Sequence, residues 1–192
     1  PFTVASSGAT KKCLVVDLDG TLWEGIVGED GLSGIKPDGK IQSHLKQLHE
    51  NGVILAVNSK NNPDDALEVF RRHRDMVLKE DHFAAMKINW KDKASNMREI
   101  AEELNIGLDS LVFVDDDEFQ RGLVRKFHPE VAVLSPAEVF AYPGFTSFAL
   151  TDEDRQRGAM YVQERKRKEL SSSFPTVEDF LRDLNLELFI QS

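Results

Sequence analysis

Two aspartates one residue apart, Asp17 and Asp19, end a short apolar run and are followed by Gly20-Thr21. A second acidic group, Asp115-Asp116-Asp117, ends another apolar run much later in the chain. Carboxylates at the end of a buried strand are costly unless they share a cation or a proton, because burial penalises the charged form and like charges repel. Mg²⁺ meets that need: it takes oxygen ligands in an octahedron, usually one or two carboxylates with waters and a substrate phosphate. The same ion would neutralise a phosphoryl group and hold it in line with a carboxylate nucleophile. The spacing therefore points to phosphoryl chemistry on a carboxylate, provided the fold brings the two acidic groups together.

The elements that must do this are legible as an alternation of apolar runs and amphipathic stretches. Residues 1 to 10, rich in small and polar side chains, read as a flexible lead-in. Cys13-Leu14-Val15-Val16 reads as a strand buried on both faces, and Val53 to Val57, Met76-Val77-Leu78, Leu111 to Val114 and Val131 to Leu134 read as four more. Helices are expected through Ile41, Leu45 and Leu48, after Pro63, and after Lys93 through Met97, Ile100, Ala101 and Leu104. The glycine-punctuated stretch from Gly20 to Gly39 reads as a small hairpin or flap, centred at about 22–35, rather than as a helix. Such an alternation makes an α/β sheet, five-stranded and mainly parallel, with helices on both faces and ligands at the carboxyl ends of its strands. The core is expected over 11–145. A C-terminal helical extension over 146–192 would carry a charged helix at 152–170, a capping box at Thr176 to Asp179 and a final alternating Leu186, Leu188, Ile190.

Composition narrows the class of partner. The 192 residues are 41% hydrophobic and 30% charged, as in a globular domain, and the 24 basic against 33 acidic residues give a net charge of -9. That field disfavours nucleic acid and anionic membrane. Apolar runs long enough to span a bilayer are lacking, and the start has no signal-peptide core. A single cysteine excludes an internal disulfide framework, which fits a reducing cytoplasm. The missing initiator methionine is read as a processed or excised module.

With these residues in view, Asp17-Leu18-Asp19-Gly20-Thr21 resembles the first motif of the haloacid dehalogenase (HAD) superfamily of phosphotransferases. Ser59 after its apolar run, Lys93 ahead of a helix (a better match than Lys91 or Lys87) and Asp115-Asp116 after a strand resemble its other three motifs, in the right order. Longer stretches resemble the FkbH-like glyceryl transferase/phosphatase branch of polyketide biosynthesis: Asp17 to Trp23, Ile26-Val27-Gly28-Glu29-Asp30-Gly31, Ser59-Lys60-Asn61-Asn62, Asn89 to Ala94 and Phe113 to Asp116. The resemblance implies a three-layer Rossmann-like HAD fold with a minimal flap cap. It implies that phosphate is removed from 1,3-bisphosphoglycerate and the glyceryl unit is delivered to the phosphopantetheine thiol of an acyl carrier protein. In that scheme Asp17 is the nucleophile and a metal ligand. Asp19 gives its carbonyl to Mg²⁺ and its side chain to proton transfer. Ser59 and Lys93 hold phosphoryl oxygens, and Asp115 and Asp116 complete the metal site. Thr21, Trp23, Lys60 and Asn61 contact substrate, with Trp23 packing on it or on the pantetheine arm.

The chain departs from this pattern at Asn58, where the family often carries cysteine, and more mildly at Gly20 and Asp117. Its only thiol, Cys13, lies four residues before Asp17, about 13 Å down an extended strand. An enzyme thioester is thus excluded at residue 58, and delivery straight to the carrier thiol stays open. So do a plain phosphatase on a small metabolite or phosphoprotein and a non-catalytic carrier-docking module. The five histidines and the basic runs at 71–74 and 165–168 read as structural or solvated.

Overall fold

The computed structural model describes residues 11–145 and 152–172. The expected lead-in at 1–10, the capping box at 176–179 and the last alternating segment lie outside the described residues. In chain order the elements are β1 (Cys13–Val16), β2 (Trp23–Glu24), α1 (Val27–Gly34), β3 (Lys36–Pro37), α2 (Gly39–Glu50), β4 (Ile54–Ser59), α3 (Pro63–Arg72), β5 (Phe83–Ile88), α4 (Lys93–Glu103), β6 (Leu111–Val114), α5 (Glu118–Phe127), β7 (Ala132–Leu134) and α6 (Asp152–Ser172).

Five strands form one parallel sheet in the order β5-β4-β1-β6-β7, with Val16 level with Val57 on one side and Val114 on the other. The alternation of side chains along each strand divides the core in two. Leu14, Val16, Leu55, Val57, Val112 and Val114 pack with Ile41 and Leu45 of α2 and with Ala66, Val69 and Phe70 of α3. Cys13, Val15, Ile54, Ala56, Leu111 and Phe113 face the other way, against Met97 and Ile100 of α4 and Val124 of α5. The result is the expected three-layer α/β fold. Strand order reverses at β1, so the crevice beside its carboxyl end is where such a sheet takes a ligand.

Three helices start where an aspartate supplies a partner for the free N–H groups. Asp38 accepts from Lys40 and Ile41 at the start of α2, Asp92 from Ser95 at α4 and Asp117 from Phe119 at α5. Pro63 opens α3, where a missing N–H costs nothing. Trp23, Phe70 and Phe83 meet edge to face at 5.9 and 5.5 Å, each pair adding about 0.5–1.5 kcal/mol beyond its buried area.

Two expectations are corrected. Met76-Val77-Leu78 is not a strand: the backbone N–H groups of Val77 and Leu78 donate to Oε1 of Gln42, a buried side chain that stands in for a neighbouring strand. The strand is Phe83–Ile88, at the sheet edge. The flap is a β2–β3 antiparallel pair as expected, yet it encloses the short helix α1, kinked where Gly31 takes φ 63°. Only glycine adopts that conformation freely.

Candidate active site

The three central strands deliver their last residues to one edge: Asp17 follows β1, Ser59 ends β4 and Asp115 follows β6. Lys93, the first residue of α4, reaches across from the neighbouring loop. Its Nζ lies 2.8 Å from Asp17 Oδ2 and 2.5 Å from Asp115 Oδ2, with the side chain only 4% exposed. The alternatives are occupied elsewhere, Lys87 by Glu99 and Glu103 and Lys91 by Glu99.

Electrostatically the centre is acidic. Burial pushes the Asp17 carboxyl above the usual range, Lys93 pulls it down, and Asp115 adds repulsion. Asp115 is raised by the same burial and lowered by Lys93, while Asp116 is raised by burial and then by Asp17. Burial also works against charge on Lys93, but Asp17 and Asp115 more than offset this and hold its ammonium above the ordinary value. Carboxylate oxygens of Asp17, Asp115 and Asp116 lie within 4.8 Å of one another. Asp17 Oδ1 is buried with no hydrogen-bond partner among the described residues. An orphaned anionic oxygen inside a converging carboxylate group is what a divalent cation would satisfy, so the donors fit Mg²⁺.

Gly20 keeps this group together. It sits at φ 70°, and a Cβ there would meet Asp116 Oδ2 at 2.3 Å, so a side chain would displace Asp116. Thr21 Oγ1 donates to Asp116 Oδ1 at 3.4 Å.

Asp19 belongs to a separate, neutral setting. Trp23 Nε1 donates to its Oδ1 at 2.7 Å, the Val27 N–H to the same oxygen at 3.2 Å, and Asn61 Nδ2 to its Oδ2 at 2.8 Å. Asn61 also donates to Ser59 Oγ at 3.4 Å, linking flap and phosphate-binding candidate. Trp23 departs from expectation: its ring is 1% exposed and wedged on Phe70, so it offers no face to substrate and instead orients Asp19. Lys60 is half-buried, and its charge makes the smallest contribution to holding down the Asp92 carboxyl, which the Ser95 backbone N–H and then the Ser95 side chain chiefly lower.

Asn58 does not join the acidic group. It is fully buried, and its Nδ2 donates to the Lys93 carbonyl at 2.9 Å. Cys13 is buried in the sheet, which pushes its thiol far up. A residue that sequence reading passed over is Arg121, whose Nη1 donates to the carbonyls of Asp115 and Asp116 at 2.6 and 2.7 Å and so fixes the acidic loop. Its spacing, one turn after the Asp117 cap, was the available signal. A cavity of about 440 Å³ lies near the amino ends of β4 and β5, between Gly52, Val53, Asp81 and Val162 of α6. It is remote from this chemistry, which lies at the carboxyl ends of the strands.

Among known structures the chain is similar to the N-terminal part of a Bacteroides fragilis protein, BF1531, containing a phosphatase domain and complexed with Mg. The two share 42% identity over 72% of this chain and 40% of that one, with a TM-score of 0.67. It also resembles in fold a HAD-superfamily hydrolase of subfamily IA from Geobacter sulfurreducens, at 14% identity over 68% and 98% of the two chains and a TM-score of 0.51. No family model matches, and no curated protein matches. The fold is thus shared with a Mg-complexed phosphatase domain and with a HAD-superfamily hydrolase, and the chain spans 40% of the length of its Bacteroides relative. Among the described residues no helix is long and apolar enough to cross a membrane.

Proposed function

We propose that the chain is a Mg²⁺-dependent phosphotransferase of the HAD type that forms a phospho-aspartate at Asp17. The observation that carries this is the unpartnered Asp17 Oδ1 beside Asp115 and Asp116, with Lys93 bridging Asp17 and Asp115. Asp17, Asp115, Asp116 and the Asp19 carbonyl would hold Mg²⁺, which supplies charge neutralisation and alignment of the phosphoryl oxygens when bound. Asp17 attacks phosphorus. Lys93 and Ser59 bind phosphoryl oxygens, where an ammonium already fixed in a water-poor site needs no reorganisation as charge develops. Asp19, held by the Trp23, Val27 and Asn61 donors, is aimed to give a proton to the leaving group and later to take one from the acceptor.

The finer reading is glyceryl transfer: the 3-phosphate of 1,3-bisphosphoglycerate is removed through Asp17, and the phosphopantetheine thiol of an acyl carrier protein takes the acyl carbon with the 1-phosphate as leaving group, in either order. Its support is the resemblance of the flap and the Ser59 to Asn62 segment, together with short intervals between the motifs that leave no room for a large cap over a tethered acceptor. Trp90 and Phe119 stand 73% and 67% exposed at the starts of the neighbouring loop and helix, the kind of apolar anchors a partner would cover. The plain phosphatase fits the same site. The one cysteine is buried and the residue 58 side chain is engaged with α4, which favours hydrolysis or direct delivery over an enzyme thioester.

The test is intact-protein mass spectrometry of the chain and a phosphopantetheinylated carrier after incubation with Mg²⁺ and freshly made 1,3-bisphosphoglycerate. A glyceryl adduct on the carrier establishes transfer. Phosphate release with an unmodified carrier establishes the phosphatase. Asp17→Asn is expected to lower either activity by at least on the order of 10³-fold. Unchanged phosphate release in that variant would remove Asp17 from its role.

A further inference from the structure

We propose that Asn58 is a positioning residue for Lys93: with Asn96 and Asn89 it forms a buried amide chain that fixes the first turn of α4, and with it the ammonium between Asp17 and Asp115. The inference rests on the phosphoryl-transfer reading above and names a residue that reading does not use.

Asn58 precedes Ser59 at the end of β4, and both its amide atoms are committed. Nδ2 donates to the Lys93 carbonyl at 2.9 Å, and Oδ1 accepts from Asn96 Nδ2 at 3.0 Å. Asn96, fully buried one turn into α4, also donates to Asn89 Oδ1 at 3.1 Å, and Asn89 Nδ2 donates back to Asn96 Oδ1 at 3.3 Å. Asn89 is itself tied to the site's edge: its backbone N–H donates to the Ser59 carbonyl at 3.1 Å, and its Oδ1 accepts from the Lys91 N–H at 2.9 Å. The chain of amides therefore joins the end of β4, the exit of β5 and the start of α4. On the other flank His128 Nε2, a donor because its partner is a carbonyl, reaches the Ala94 oxygen at 2.8 Å.

The surroundings make this arrangement informative. Ile54 and Ala56 precede Asn58 on the same face of β4, and Met97 and Ile100 follow Asn96 on α4, so the layer is otherwise apolar. Two fully buried amides there are costly unless every group is bonded, whereas apolar side chains would pack without that demand. What the amides add is direction. Lys93 is the first helical residue, so its Cα moves with the first turn, and its ammonium must satisfy two carboxylates at 2.8 and 2.5 Å. A displacement of about 1 Å in such a group costs about 10²-fold in rate.

The experiment uses the full chain with Asn58→Ala, and Asn89→Ala as a half-buried second variant. Ile100→Val, on the same helix but outside the amide chain, is the control. The first readout is the side-chain ammonium resonance of Lys93 in protein labelled with ¹⁵N-lysine, metal-free and identified by its loss in Lys93→Met. Wild type and Ile100→Val should keep it, while Asn58→Ala should lose it. The second is phosphate release from p-nitrophenyl phosphate with Mg²⁺. Here kcat should fall by about 10²-fold in Asn58→Ala and by about 10-fold in Asn89→Ala, with KM little changed. A folded Asn58→Ala that retains both the resonance and kcat overturns the inference. Should Asn58→Ala not fold, Asn89→Ala decides by the same two readings. If wild type releases no phosphate, the functional reading fails while the ammonium resonance still decides this one.

Discussion

The acid centre and the flap each hold buried or half-buried aspartate, and they stabilise it by opposite means. At the centre, three carboxylates face one ammonium, so full ionisation leaves an excess of negative charge. In the flap, the Asp19 carboxylate is surrounded by neutral donors from Trp23, Val27 and Asn61. The centre is thus incomplete without a cation, and its stability must respond to one. The flap is satisfied by dipoles alone, so its geometry is set before any ligand arrives. One region carries an excess of negative charge, and the other holds a single carboxylate with neutral donors.

The comparison breaks most visibly at Lys93. Lys93→Met keeps the length of the side chain but leaves Asp17 and Asp115 facing each other, at an expected cost of about 3–5 kcal/mol near neutral pH. The pH dependence gives the sign. Both carboxyls are already raised by burial, and losing Lys93 raises them further. Between the ordinary carboxylate value and the raised one the folded state binds more protons than the unfolded state, so stability is lost as pH rises and regained as it falls. Urea midpoints at about pH 7 and about pH 5 check this; a penalty equal at both would contradict the charge argument.

A smaller effect separates the regions directly. Mg²⁺ at a hundred times its dissociation constant should stabilise the wild type by about 2.7 kcal/mol in thermal unfolding with and without chelator. Asp115→Asn should lose most of that increment and Trp23→Phe should keep it. Smaller again, Trp23→Phe removes one donor from Asp19, and with Val27 and Asn61 still in place the cost should be about 1.5 kcal/mol. That cost should be the same with and without Mg²⁺. A metal-dependent cost would show that flap and centre are coupled.

Much of this was legible because the central strands advertise themselves. The runs at 13–16, 54–57 and 111–114 are apolar throughout, as full burial requires, and each stops at or one residue before a candidate site residue: Asp17, Ser59 and Asp115. The edge strand was not legible. Phe83-Ala84-Ala85-Met86-Lys87-Ile88 mixes alanines of low strand propensity with a lysine, while Met76-Val77-Leu78 has the better local composition. Gln42, distant in sequence, decides between them by taking the N–H groups of Val77 and Leu78. For Trp23 the sequence leaves a substrate contact and a place in the flap core equally open, and only the fold brings Phe70 edge to face against its ring. The amides at 58, 89 and 96 carry no pattern at all, since their partners converge from two strand ends and a helix.

Helix α6 bears on a different property of the molecule. Arg165 is buried on the sheet, where its Nε donates to the Phe83 carbonyl at 3.0 Å and its Nη2 to the Glu80 carbonyl at 2.7 Å. Phe83 opens β5, which among the described residues is one of the two edges of the sheet, and an unpaired strand edge is an invitation for another chain to extend the sheet. A guanidinium lodged on that first carbonyl withdraws the acceptor and places a charge in the path of an incoming strand. Among the described residues, α6 thereby covers the start of an edge that another chain could otherwise extend.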